Sequence, residues 1–144
     1  MNDRLQELYK SVILAHHKNP VGFGPLAEHV QVVEATNTMC GDTFRVGVSI
    51  QGDALTDLGF EGHGCAISRA SASVLVKHLS GQNLKAARGI CEEFLKVVDP
   101  ECQNNPATSD DFEAFAATRE FPGRHTCAAL VWEKMLEYLI ATAE

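Results

Sequence analysis

Apolar residues recur along this chain with two different periods, and the changes of period mark out the elements. Over residues 2–18, Leu5, Leu8 and Val12, followed by Ala15 or His16, keep the three-and-four spacing of a helix with one apolar stripe. Asn19-Pro20 ends it, and residues 22–25 read as a loop. The run VQVVEAT at 30–36 is β-prone. From 44 to 50 the period is two, with Phe44, Val46, Val48 and Ile50 alternating with Arg45, Gly47 and Ser49. Gln51-Gly52-Asp53 is a turn signal, after which Ala54, Thr56, Leu58 and Phe60 alternate again, so this stretch predicts a β-hairpin with one buried face. Matching the two apolar faces through a three-residue turn places Phe44 opposite Phe60 and Val46 opposite Leu58. Extended outward, that register places Cys40 opposite Gly64.

After Gly64 the helical period returns. Ile67, Ala70, Val74, Leu75 and Leu79 predict a helix over 66–79, closed by Gly81. Leu84, Ala87, Cys91, Leu95 and Val98 predict another from residue 84 to about 97. The stretch DPECQNNPATSDD is a turn-rich connection, 112–117 reads as a short helix, and a last helix is expected over 126–141. In that last helix Cys127, Val131, Met135 and Tyr138 share a face. Helix, strands, then helices is an α+β order: a small antiparallel three-stranded sheet with helices packed on one face, expected as a single domain over 1–144.

Composition narrows the function classes. An apolar content of 45% is enough for a real core. A net charge of −7 argues against nucleic acid, which wants a basic face, and against an anionic membrane surface. No apolar run has the length to span a bilayer, and MNDRLQELYK lacks the apolar middle of a signal peptide, so a cytoplasmic location is expected.

The candidate chemistry lies with the cysteines. There are five, an odd number with no C-x-x-C pair, which does not read as a disulfide framework. Cys91 sits mid-helix on an apolar stripe and reads as core, and Cys102 in the polar connection reads as a bystander. Cys40, Cys65 and Cys127 stand instead at element ends. Cys65 follows two glycines in EGHGCAIS, where close backbone approach and a helix N-terminus both favour thiolate. Cys40 and Asp42 are two apart, and in extended chain such positions face the same way. Cys40, Asp42, Cys65 and Cys127 together offer three sulfurs and one oxygen, a donor set that suits tetrahedral zinc. The plain alternatives are a solvated turn residue or cap for Asp42, a small residue at a tight junction for Cys65, and core packing for Cys127. Of the histidines, His63 and His125 lie nearest in sequence, and His63 is the expected exchangeable neighbour.

The stretches LYKSVILAHHKNP, NTMCGD, GHGCAISRASASVLV and GRHTCAALVW, in that order over most of the chain, resemble the SufU-type, IscU-like iron–sulfur cluster assembly proteins. The resemblance implies an IscU-like fold. In the SufU branch, the ligands of a tightly held zinc match Cys40, Asp42, Cys65 and Cys127. The thiol matching Cys127 accepts sulfur from a SufS-type cysteine desulfurase, with the arginine matching Arg124 taking part. In the IscU branch the corresponding cysteines hold a nascent [2Fe–2S] cluster. The long interval from Cys65 to Cys127 resembles the SufU branch. Thr126 stands where IscU scaffolds carry histidine and SufU-type proteins tend to carry lysine; His125 is one place early, so no histidine ligand is carried over. The Leu-Pro-Pro-Val-Lys stretch that recruits the dedicated chaperone is absent.

Two readings follow. One is a zinc-bearing sulfur acceptor supplied by a desulfurase; the other is a scaffold that assembles a [2Fe–2S] cluster and hands it to downstream assembly or apo iron–sulfur proteins. Whether the first counts as an enzyme is left open. Dinucleotide binding at Gly62-His63-Gly64 lacks the third glycine and the βαβ unit. A cysteine hydrolase using His63 or His125 lacks an evident orienting carboxylate.

Overall fold

A computed structural model describes residues 3–37, 41–101, 109–121 and 123–143. Cys40 and Cys102, and the expected pairing of Cys40 with Gly64, lie outside them. Helix α1 (Asp3–Lys18) precedes three strands, β1 (Gln31–Asn37), β2 (Asp42–Gln51) and β3 (Ala54–His63). Then come α2 (Ala66–Leu79), α3 (Leu84–Val98), α4 (Asp110–Phe115), a 3₁₀ turn (Ala116–Glu120) and α5 (Arg124–Ala143). The strands form one antiparallel sheet in the order β1-β2-β3. Helix α5 packs on β1 and α2 on β3, so the α+β arrangement expected from the element order is the one observed. No helix among the described residues is long and apolar enough to cross a membrane.

The expected hairpin register is corrected. The turn has two residues, with Gln51 paired to Ala54, and Gly52 takes the positive φ of 66° that a tight hairpin turn needs at its first position. Left alone, that turn would put the wrong face of β3 inward. A β-bulge corrects it: between the Ser49–Thr56 and Gly47–Gly59 pairs, Val48 on β2 faces both Asp57 and Leu58 on β3. Asp57 adopts a φ of 53°, a conformation aspartate tolerates better than most side chains, and its carboxylate pairs with His29 at 3.0 Å. Beyond the bulge Phe44 pairs with Gly62 and Val46 with Phe60. Leu55, not the Thr56 side of the strand, is fully buried near the turn, and Phe60 regains the inner face.

Helix α2 is the hub, buried along most of its length. The Ala70-Ser71-Ala72-Ser73 run explains how it serves two neighbours. Residues two apart on a helix point to opposite sides, and the two serines do so. Ser71 accepts a hydrogen bond from Trp132 Nε1 at 3.0 Å and donates to the Ala128 carbonyl at 2.6 Å, fixing α5. Ser73 lies 2.7 Å from His16 Nδ1 and accepts from the Val21 N–H at 2.7 Å, fixing α1 and the loop after it. The intervening alanines let all three helices approach. Trp132 then stacks on Phe94 of α3 with ring centroids 4.2 Å apart.

The far side of His16 reaches Asp111 at the start of α4, at 3.4 Å. Asp111 also accepts from His78 Nε2 at 2.9 Å and from Lys77 Nζ at 2.8 Å. The bonds from His16 and His78, with Lys77, hold its carboxyl far below the usual carboxylate range despite partial burial. A carboxyl with a depressed folded-state pKa stabilises the fold above its unfolded value, and that contribution fades as pH falls towards the folded value. Asp111→Asn is therefore expected to lower stability by about 2 kcal/mol at neutral pH. The gap from the parent should narrow as the pH drops below about 4. Urea unfolding of both proteins across a pH series checks this.

Candidate metal centre

Asp42 is the first residue of β2, and Cys65 caps the N-terminus of α2. The antiparallel β2–β3 ladder carries the end of β3 back beside the start of β2, with Thr43 paired to His63. The chain then turns into α2 directly over the Asp42 side chain. There the Cys65 N–H donates to Asp42 Oδ1 at 3.0 Å. Two glycines make room. A Cβ on Gly62, whose φ is 125°, would lie 2.1 Å from the Thr43 carbonyl oxygen. A Cβ on Gly64 would lie 2.5 Å from Asp42 Oδ1 and 2.7 Å from both Phe44 and Ser68 Oγ. The Gly-x-Gly-Cys motif is thus a place where backbone and carboxylate meet with no space for a side chain.

The sulfur of Cys65 is held by the helix it caps. The Ser68 N–H donates to Sγ at 3.4 Å, and Ser68 Oγ lies at the same distance. The sulfur thus faces the positive end of the helix dipole. Cys127 arrives from the opposite side, in the first turn of α5, which begins two residues earlier than the sequence suggested. The Ser71 bridge between α2 and α5 brings it there, and it is 3% exposed.

One donor atom each from Asp42, Cys65 and Cys127 lie within 4.8 Å of one another. Tetrahedral zinc with bonds of about 2.3 Å to sulfur needs donors roughly 3.8 Å apart, so a shift of about 1 Å or less would close the set. Asp42 is fully buried, yet among the described residues its Oδ2 has no hydrogen-bond partner. A buried carboxylate oxygen without a partner is costly, and a cation between it and two thiols removes that cost. These residues fit a thiophilic metal. Cys40, the fourth donor expected, lies outside the described residues.

The other residues singled out by sequence divide clearly. Cys91 is fully buried in α3, where desolvation above all, then Glu92, pushes its thiol up to about 12; it is core. His63 ends β3 exposed, and His125 lines a separate cavity of about 520 Å³ with Leu95, Val98 and Ala129. Neither joins the donor cluster. Arg124 is exposed at the first position of α5. Tyr9 was not singled out from the sequence, where its segment served for a helix stripe and for the family resemblance. Its ring stands 6.2 Å from that of Phe121. Burial raises its phenol's pKa, the charge of Arg124 lowers it and Cys65 raises it again, so Tyr9 sits within electrostatic range of both.

Known proteins resemble this chain over nearly its whole length. The zinc-dependent sulfurtransferase SufU of Bacillus subtilis is 36% identical over 143 residues, covering 99% of this chain and 96% of that one. The iron–sulfur cluster assembly scaffold protein IscU of Streptococcus pyogenes is 32% identical over 142 residues, 97% of this chain and 87% of that one. A crystal structure of a candidate iron–sulfur cluster assembly scaffold protein for the SUF system from Fervidobacterium islandicum superposes with a TM-score of 0.73. It is 26% identical and covers 92% of this chain and 96% of that one. The NifU-like N-terminal domain pattern matches residues 8–128, from α1 to the residue after Cys127, and the chain belongs to that family.

Proposed function

We propose that this protein is a zinc-bearing sulfur acceptor in iron–sulfur cluster assembly, taking persulfide sulfur from a SufS-type cysteine desulfurase onto Cys127. The observation that carries this reading is the convergence of buried Asp42, half-buried Cys65 and buried Cys127, with a carboxylate oxygen that has no partner among the described residues. The SufU relative, named as a zinc-dependent sulfurtransferase, supports it. Cys40, Asp42, Cys65 and Cys127 would hold the ion. Zinc, when bound, keeps the thiols deprotonated at neutral pH.

The chain's own residues divide the work. Cys65 is the anchored sulfur, held by the Ser68 amide and by the Asp42 carboxylate behind its own N–H. Cys127 belongs to another helix and is the working sulfur. Its thiolate attacks the outer sulfur of the donor persulfide; a new S–S bond forms on Cys127, the old one breaks, and the donor cysteine leaves as thiolate. No net oxidation occurs, so no further reagent is needed. Because Cys127 is almost wholly buried, its side chain must turn outward for the attack. Arg124, three residues earlier and exposed, supplies positive charge where the anionic persulfide would approach.

A second reading keeps the same donors and makes the protein a scaffold for a [2Fe–2S] cluster, since thiolates suit zinc and iron–sulfur centres alike. The relative named as an IscU scaffold favours it. Anaerobic reconstitution followed by transfer to an apo-ferredoxin separates the two: the sulfur-acceptor reading expects no transferable cluster.

Cys127→Ser should abolish stimulation of the desulfurase, read as sulfide or alanine release with and without the protein. Asp42→Asn keeps an oxygen to accept the Cys65 N–H but loses the carboxylate charge. It should fold, and its zinc affinity in a chelator competition should fall by at least about tenfold.

A further inference from the structure

Arg69 follows Cys65 by one turn of α2, where side chains four apart share a face, and its N–H donates to the Cys65 carbonyl at 3.0 Å. Its guanidinium carbon lies 4.2 Å over the centre of the Phe23 ring. Its Nε is buried with no hydrogen-bond partner, and among the described residues no carboxylate pairs with the side chain. This is not for want of acids. The chain carries 19 acidic residues against 12 basic ones, and Arg4, Arg45, Lys77 and Lys134 each have a carboxylate partner.

Phe23 is also unusual. It is 43% exposed, yet rigidly placed: its ring packs edge-on against Phe60 with centroids 5.3 Å apart. Its flanking residues hydrogen-bond to both sides of Phe60, Gly24 N–H to the Phe60 carbonyl at 3.0 Å and Phe60 N–H to the Gly22 carbonyl at 2.9 Å. The segment is thereby a short extra strand on the edge of β3. Val21, also exposed, extends the apolar surface. An arginine held over a fixed aromatic ring has less freedom left to lose on binding, and arginine and aromatic residues are the types enriched where protein interfaces gain their affinity.

We propose that Arg69 and Phe23 form a docking shelf for the sulfur-donating desulfurase, with the guanidinium receiving an aspartate or glutamate side chain from the partner and Phe23 an adjoining apolar one. The proposal rests on the sulfur-acceptor reading. An excess guanidinium in an acidic chain selects an acidic patch, and its position one turn from Cys65 would set the donor persulfide in register with the metal centre.

The test uses the zinc-loaded full chain and the SufS-type desulfurase of the same organism. Dissociation constants are measured by titration calorimetry at several salt concentrations for the parent, Arg69→Glu, Arg69→Gln and Arg69→Lys. Arg88→Glu, the same charge change on α3, is the control. Arg69→Glu should weaken binding about tenfold and Arg69→Gln about threefold, with a flatter salt dependence. Arg69→Lys should fall between the parent and Arg69→Gln, because it keeps the charge and loses the planar stack. Zinc content, thermal midpoint and desulfurase turnover at saturating protein should match the parent, and Arg88→Glu should bind as the parent does. Parent-like binding by Arg69→Glu would overturn the shelf while leaving the sulfur-acceptor reading intact. Loss of zinc or of thermal stability in the Arg69 variants would replace it with a structural role. A parent that neither binds nor stimulates the desulfurase would overturn the sulfur-acceptor reading itself, and the shelf with it.

Discussion

The carboxylate of Asp42 is fully buried, and among the described residues only one of its two oxygens has a hydrogen-bond partner. Oδ1 takes the Cys65 N–H at 3.0 Å, joining the first residue of β2 to the cap of α2. Much of the local architecture follows from making that contact possible. β3 must run back along β2 far enough to deliver Cys65, the last turn before α2 must be free of side chains at Gly62 and Gly64, and Ser68 must be small enough to close over the cap. What remains is an unpartnered oxygen on a carboxylate that lies beside two cysteine sulfurs. Among the described residues the buried side-chain nitrogens and oxygens without a hydrogen-bond partner are Asp42 Oδ2 and Arg69 Nε, and the first, on a carboxylate beside two thiols, is the strongest physical pointer to a bound cation.

Asp111 makes the contrast plain. It too is mostly buried, but three donors surround it, and it ties together α1, α2 and α4. Its chemistry is complete within the chain, so it serves the fold. Asp42 keeps one oxygen without a partner among the described residues, the position the proposed metal would fill. Helix α2 links the two: Ser73 holds α1 beside the Asp111 cluster, while Ser71 holds α5 so that Cys127 meets Cys65. The site is therefore preorganised by buried hydrogen bonds from α2 that fix the neighbouring helices, one of them to the carbonyl of Ala128 beside Cys127.

Periodicity made most of the fold legible. Alternation at 44–50 and the three-and-four spacings gave the strands and helices to within a few residues, because each element buries one face. The hairpin register failed for a specific reason. Face-matching assumes an unbroken ladder, and Asp57 breaks it with a bulge that face-matching cannot detect in advance. The site was legible because thiols and a carboxylate at element ends are hard to explain as packing, and three of the four expected donors lie among the described residues and converge. Tyr9 and Arg69 escaped notice since each looks like an ordinary position on a helix. Their surroundings come from Phe121 and Arg124 in one case and Phe23 in the other, residues distant in sequence. His16 and Asp111 escaped in the same way, being partners 95 positions apart in one chain.

The central claim is that the Asp42, Cys65 and Cys127 cluster is a metal centre tuned for zinc. The most direct test is the metal content of the protein purified without oxygen, with X-ray absorption at the zinc edge. The account predicts about one zinc per chain, resistant to mild chelation, in a shell of about three sulfurs and one oxygen or nitrogen. Iron with labile sulfide in place of zinc would contradict it in favour of the scaffold, and protein free of any metal would contradict the assignment of the cluster as a metal site.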